Sequence, residues 1–385
     1  MTIYFDDHAT TPCDPRVLEA MLPYFGVQFA NPSSVTHLPG RQAADTIEQA
    51  RERVAALLNA SPQDVVFTSG STESNNLAIY GVARAAGQHS VRRRIITLPT
   101  EHKAVLEPCR DLSQQGFDVV YAPVDHFGMV NLDALKTLAT PETLLVSIQA
   151  ANSEIGTVQP LREIAEIAKQ AGALFHCDAT QAVGRVLLDW QTLPIDLLSL
   201  SGHKLYGPKG SGALIVRKSV RRTGIVPLMR GGGQEGGLRP GTHNVPAIVG
   251  LATACTLMHT EGEAETLKIQ TMRNKFEVDL QTALPKARLN GHPIRRLPGN
   301  ISITLPGIEA DALLLNIPQY ALSLGSACNS GALEPSYVLT SIGLSRQDAD
   351  STFRVGIGRF SSEENLNSLA NAITIISDRL DFLNI

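Results

Sequence analysis

VVFTSGSTESNNLAIYGVARAA, residues 65–86, decides the fold. Val65 to Gly70 is a short apolar run closed by glycine and reads as a buried strand, and residues 71–86 read as the helix that follows it. The alternation continues downstream. Strands are predicted near 95–98, 119–122, 144–148 and 174–177, with helices at about 104–115 and 161–171 between some of them. Strands alternating with helices over roughly 150 residues imply a mostly parallel sheet covered by helices on both faces, an α/β fold. Upstream, Asp14-Pro15 is an N-cap followed by a first-turn proline, opening a helix with Val17, Met21, Tyr24 and Phe25 on one stripe. Asn31-Pro32-Ser33-Ser34 breaks it, and Ile47, Ala50, Val54, Leu57 and Leu58 mark a second helix to about residue 60. Gly-rich 231–241 closes this region. After Val245 a long helical stretch leads to a smaller unit with strands at 301–305 and 321–324, and a last helix with Leu366, Leu369, Ile373, Ile376 and Leu380 on one face. The expected division is a large domain over 14–258 and a small α+β domain built from 1–13 and 259–385.

The chain has 385 residues, 43% of them hydrophobic, which is enough for two buried cores. A formal net charge of -4 with scattered Lys and Arg argues against a nucleic-acid or anionic-membrane partner. The one basic cluster, Arg92 to Arg94, reads as a solvated strand entrance. No apolar run approaches the ~18 residues of a membrane span. MTIYFDDHATTP lacks the apolar stretch of a signal peptide, so the expected location is the cytoplasm. The five cysteines, Cys13, Cys109, Cys177, Cys255 and Cys328, are far apart and form no CxxC or CxxH pair, indicating neither a disulfide framework nor a zinc site.

In such sheets ligands gather outside the carboxyl ends of the strands. Gly70-Ser71-Thr72 opens a helix there, offering free N–H groups and a positive dipole to an anion such as phosphate; on its own it is equally an N-cap with no ligand. His102 follows the next strand, where an imidazole can stack on a planar ring or move a proton, although a lone histidine is more often structural. Asp178 ends a strand so apolar that its carboxylate needs a partner, and Gln181 lies three residues on. LSLSGHKLYGPKGSG, residues 198–212, places Ser201, His203 and Lys204 at a fourth strand end. Taken alone Lys204 is a surface lysine; in this company it is a Schiff-base lysine. One ligand accounts for the set. Pyridoxal 5'-phosphate needs a lysine for its aldehyde, a carboxylate for its ring nitrogen and a phosphate cup, and Lys204, Asp178 and Ser71-Thr72 with Ser201 and His203 meet those demands.

The motifs also resemble the cysteine desulfurases of the NifS/IscS class, within the class V, fold-type I pyridoxal-phosphate enzymes. They run nearly end to end: DHATTPCDPRV (7–17), NPSSVTH (31–37), FTSGSTESNNLAI (67–79), TEHKAV (100–105), SEIGTVQP (153–160), HCDATQAVG (176–184), SGHKLYGPKGSGAL (201–214), RPGTHNV (239–245), GSACNSG (325–331), LEPSYVL (333–339) and FRVGIGRF (353–360). The resemblance implies that Lys204 holds the cofactor aldehyde, His102 stacks over the ring and moves protons, Asp178 meets the ring nitrogen and Gln181 the phenolic oxygen. It implies phosphate contacts from Thr72, Ser201 and His203, and from Thr242 to the other subunit of a homodimer. Asn31 and Arg354 are implied to grip the carboxylate of L-cysteine, and Cys328, in a small-domain loop of small residues, to take its sulfur as a persulfide and pass it to an acceptor such as an iron-sulfur scaffold protein. Asn152-Ser153 departs from the Asn-Asn usual before Glu-Ile-Gly, so at the second cofactor-facing position a shorter side chain reaches the ring oxygen only through water. The chain ends at Ile385 without the tail by which some relatives dock the scaffold. Three readings are compatible with these residues: a cysteine desulfurase, a selenocysteine lyase or class V aminotransferase in which Cys328 is dispensable, and a sulfur-carrying interaction protein.

Overall fold

The computed structural model describes residues 2–87, 90–324 and 334–383. Strand β1 is Ile3–Tyr4, and seven strands then form the main sheet: β2 (Val65–Thr68), β3 (Arg94–Thr97), β4 (Asp118–Tyr121), β5 (Thr143–Ser147), β6 (Leu174–Asp178), β7 (Leu197–Ser201) and β8 (Gly212–Val216). Their order is β2-β8-β7-β6-β5-β3-β4. Only β8 runs against its neighbours, pairing antiparallel with both β2 and β7. The other six therefore end at the same edge. Helices α1 (Pro15–Met21), α2 (Leu38–Leu57), α3 (Ser71–Ala86), α4 (Lys103–Gln114), α5 (Leu132–Leu138), α6 (Leu161–Gln170) and α7 (Lys218–Thr223) surround this sheet, and α8 (Val245–Ala283) runs on from it.

Period-2 alternation divides the strand side chains between two cores. Val65, Phe67, Ile96, Val146, Phe175 and Leu198 face a cluster that includes α1, α2, α6 and the first half of α8. Val66, Ile95, Leu145, Leu197 and Leu214 face the opposite cluster, with α3 and α4. Both faces are dry, which is why these strands read as continuous apolar runs.

The second half of α8 supplies Ile269, Met272, Phe276 and Leu280 to a third core. There it packs with β10 (Asn300–Thr304), β13 (Thr352–Gly356) and the last helix (Glu363–Leu383), whose Leu366, Leu369, Ile373 and Ile376 are buried. A four-stranded sheet, β12-β13-β10-β9, completes this unit with β9 (Arg288–Leu289) and β12 (Ser323–Leu324). The strand predicted over 321–324 is two pieces, because Tyr320–Ala321 (β11) turns to pair with β1 while β12 pairs with β13. Among the described residues no helix is long and apolar enough to cross a membrane.

Gly212, at the start of β8, lies where the sheet meets the beginning of α3. A Cβ there would stand 2.6 Å from the Gly70 Cα and 2.6 Å from the Leu200 carbonyl oxygen. Neither backbone atom can yield cheaply, so Gly212→Ala is expected to cost about 1–3 kcal/mol, lowering the urea midpoint at unchanged slope. Gly26→Ala, with nothing within 4 Å of its Cβ, is the control and should stay within about 0.5 kcal/mol of the parent.

Candidate active site

At the shared edge the chain encloses a cavity of about 340 Å³ lined by Ser71, Thr72, His102, Asn152, Ser153, Asp178, Gln181, His203, Lys204 and Arg354. Arg354 arrives from β13 in the smaller unit, and the other nine from the end of β6 and the segments that follow β2, β3, β5, β6 and β7. Lys204 is buried in the turn after β7, and its Nζ donates to the carbonyl oxygens of His8 and, at 2.7 Å, Ala9. The Asp178 carboxylate is held by three donors: Asn75 Nδ2 at 2.7 Å, the Thr180 amide at 3.0 Å and the Thr180 hydroxyl. Gln181 grips His8 twice, donating from Nε2 to its carbonyl at 3.0 Å and accepting from its Nδ1 at 3.1 Å.

His102 caps α4, its Nδ1 accepting the Ala104 amide at 3.0 Å, which puts the ring proton of the neutral form on Nε2. Helix α3 begins at Gly70 with no side chain bonded to its first-turn amides. Gly70 has φ +148, outside the range an L side chain adopts readily. His203 lies beside this helix end in the lining and pairs through Nδ1 with the Thr10 hydroxyl at 3.0 Å. Burial, with the charges of Lys204 and Lys209 adding to it, lowers its imidazole to about 4.

One of the expected contact residues, Asn152, is occupied by the backbone around it. Asn152 donates to the Thr100 carbonyl at 2.9 Å, while its Oδ1 accepts the amides of Glu154 and Ile155 at 2.8 and 3.0 Å. Ser153 offers Arg354 its carbonyl, at 3.0 Å from Nη1. Ser201 is buried under Gly70 and is not part of the lining. Asn31, expected to join Arg354, is exposed and not among the lining residues, and its Oδ1 closes a local turn by accepting the Ser33 amide at 2.9 Å. Thr242 is likewise exposed and outside the cavity. Cys328 lies outside the described residues.

Sequence reading missed Asn75, Thr180, His8 and Glu154. Asn75 stands four residues after Ser71, on the same helical face as the phosphate cup, and that spacing was the available signal. His8 carries no local signal, since only long-range folding brings residues 8 and 9 to Lys204. Burial raises Glu154, while Ser336 donates to its carboxylate.

The aminotransferase class-V family profile matches residues 3–369. A cysteine desulfurase IscS of Rickettsia felis is 44% identical over 383 residues, covering 100% of this chain and 92% of that protein. A solved NifS-like protein superposes with a TM-score of 0.90 at 38% identity, covering 98% of this chain and 99% of its own. Another solved structure, SspA in complex with cysteine, has a TM-score of 0.82 at 38% identity over 94% of this chain and 100% of that one.

The loop that carries Thr242 is tied down by Glu235, a buried residue at φ +51. Its carboxylate takes both Nη groups of Arg51 at 2.8 Å, the Phe67 amide at 2.9 Å and His243 Nε2 at 2.7 Å. Burial alone would raise this carboxyl; the donors, Arg51 foremost, overcome that and bring it down from 4.5 to about 2. A depressed folded-state value means the stabilisation is present above pH 4.5 and is lost as pH falls towards about 2. Glu235→Gln removes the buried counter-charge of Arg51, leaving it only the exposed Glu48 at 3.2 Å, and is expected to cost about 3–5 kcal/mol at pH 7. Urea titrations between pH 7 and 2 should show the gap to the parent closing at the acid end.

Proposed function

The chain belongs to the class-V aminotransferase family, and from that premise we propose that it is a cysteine desulfurase that converts L-cysteine to L-alanine and leaves a persulfide on Cys328. The observation that carries the proposal is the convergence of Lys204, Asp178 and the uncapped start of α3 on one cavity of ligand size. These residues fit pyridoxal 5'-phosphate. The amine is buried against carbonyl oxygens, the carboxylate is surrounded by donors, and the amides of the α3 first turn are open to a phosphate. When bound, the cofactor supplies an aldehyde for an amine and a ring that holds the electrons released at the substrate's α-carbon.

Each side chain then has a task. Asp178 keeps the proton on the ring nitrogen. Amides of α3, with Thr72 and His203, hold the phosphate, and Gln181 has one amide N–H left for the phenolic oxygen. Lys204 holds the aldehyde and, once displaced by substrate, takes the α-proton. Arg354 receives the substrate carboxylate in a two-pronged contact. His102 Nε2 handles the proton at the substrate sulfur. The Cys328 thiolate attacks that sulfur, the sulfur-carbon bond breaks with its electron pair going to the β-carbon, and protons delivered to the β-carbon and back to the α-carbon complete alanine. In a homodimer the exposed Thr242 reaches the phosphate of the other subunit. The persulfide passes to a sulfur-acceptor protein for iron-sulfur cluster or thio-cofactor assembly in the cytoplasm.

Incubation with L-cysteine followed by peptide mass spectrometry should find one added sulfur on the peptide containing Cys328. In Cys328→Ala the visible cofactor band and its response to cysteine should persist, while alanine release falls roughly a hundredfold or more, because the covalent step has lost its nucleophile. Alanine release near the parent rate would instead favour the lyase or aminotransferase reading.

A further inference from the structure

Arg354 is a guanidinium with 2% of its surface exposed, on the middle of a small-unit strand, and a charge so placed needs a counter-charge. Asp6 provides it. Its Oδ1 accepts from Arg354 Nη2 at 2.7 Å and from the Ser323 hydroxyl at 2.8 Å. On the other side Arg354 Nη1 donates to the Ser153 carbonyl at 3.0 Å. A planar fork held at both Nη groups from different segments cannot rotate.

The anchor is itself fixed. Asp6 forms a parallel bridge with Gly356, two residues beyond Arg354 on β13, and the Gly356 amide donates to the Phe5 carbonyl at 2.7 Å. Carboxylate and guanidinium are thus carried by paired backbones. Each Nη keeps one N–H beyond these contacts, and Arg354 lines the cavity. Two parallel N–H groups at a fixed angle match a carboxylate.

Resting on the proposed role of Arg354 as the group that takes the substrate carboxylate, we propose that Asp6 is a positioning residue. By setting the plane of the Arg354 fork, it gives the site its preference for an amino acid with a free α-carboxylate over the same amino acid with that carboxylate masked. Two effects of Asp6 oppose each other: its geometry orients the fork, and its charge competes with the substrate's. Orientation dominates, because the acceptor touches only Nη2 and leaves the carboxylate-facing N–H groups open.

The test uses holoenzyme carrying Cys328→Ala, so that turnover does not deplete the ligand. Dissociation constants for L-cysteine and L-cysteinamide are read from the change in the visible cofactor band. Asp6→Ala is expected to reduce the preference for cysteine about tenfold, the size of one charge-assisted hydrogen bond. Asp6→Asn, whose amide oxygen still accepts from Nη2 and Ser323, is expected to keep it within about threefold. A purely structural loss would shift both ligands together and leave the ratio unmoved, which would overturn the proposal. Tighter cysteine binding by both variants would overturn it in favour of a competing charge. An unchanged ratio in Arg354→Ala would remove the carboxylate role of Arg354 itself, and absence of any band response to cysteine in the protein with Asp6 intact would remove the desulfurase reading.

Discussion

A buried ammonium cannot be left without acceptors, and Lys204 finds them in the carbonyl oxygens of His8 and Ala9, nearly two hundred residues away in the chain. That clasp organises much of the molecule. The segment supplying it is stitched to the large sheet by Gln181 on His8, by Thr10 on the His203 ring and by Thr11 on the His203 carbonyl. The same segment begins at Asp6, which holds Arg354, and continues to Asp14, which receives Arg359 at 2.7 Å. These nine residues, 6–14, therefore join the strand-end cavity to the smaller unit, and neither cavity wall is complete without them.

The electrostatics of the cavity follow from how each charge is satisfied. Asp178 and Glu101 are both buried carboxyls near the end of the sheet, yet their surroundings differ. Asp178 is met by an amide side chain, a backbone amide and a hydroxyl. Among the described residues Glu101 accepts only the Gln149 amide, at 2.7 Å, and burial pushes it well above the usual carboxylate range. The two buried carboxyls therefore differ in how many donors meet them. His8 is likewise kept neutral, its imidazole lowered well below the ordinary value chiefly by burial and further by Arg185.

Much of the architecture was legible in local pattern. The helix predicted over 71–86 is α3 residue for residue, and the predicted strands of the main sheet end within two residues of the observed ones. Asp14 caps α1 ahead of Pro15 as read. Strand β8 escaped notice because its apolar run, GALIV, follows a glycine-rich turn that drew attention as a loop. Strand β13 escaped because its central residue is Arg354, and a charged residue in a strand without exposed face breaks the apolar signature. The short α5 has too few turns to show a period.

Sequence alone determined the alternation of strands and helices, the strand ends at which polar residues collect, and the identities of Lys204, Asp178, His102 and the α3 start as one chemical set. Those follow from periodicity and from residue types at turns, which are local properties. Only the tertiary structure decided what each of them touches. That Asn152 is held by Thr100 and its own turn, that Asn31 is absent from the lining, and that Asp6 and His8 reach across to Arg354 and Lys204 are consequences of burial and long-range pairing. A buried polar group must be satisfied by whichever partner the packed chain brings within hydrogen-bond distance, and sequence spacing does not record that distance.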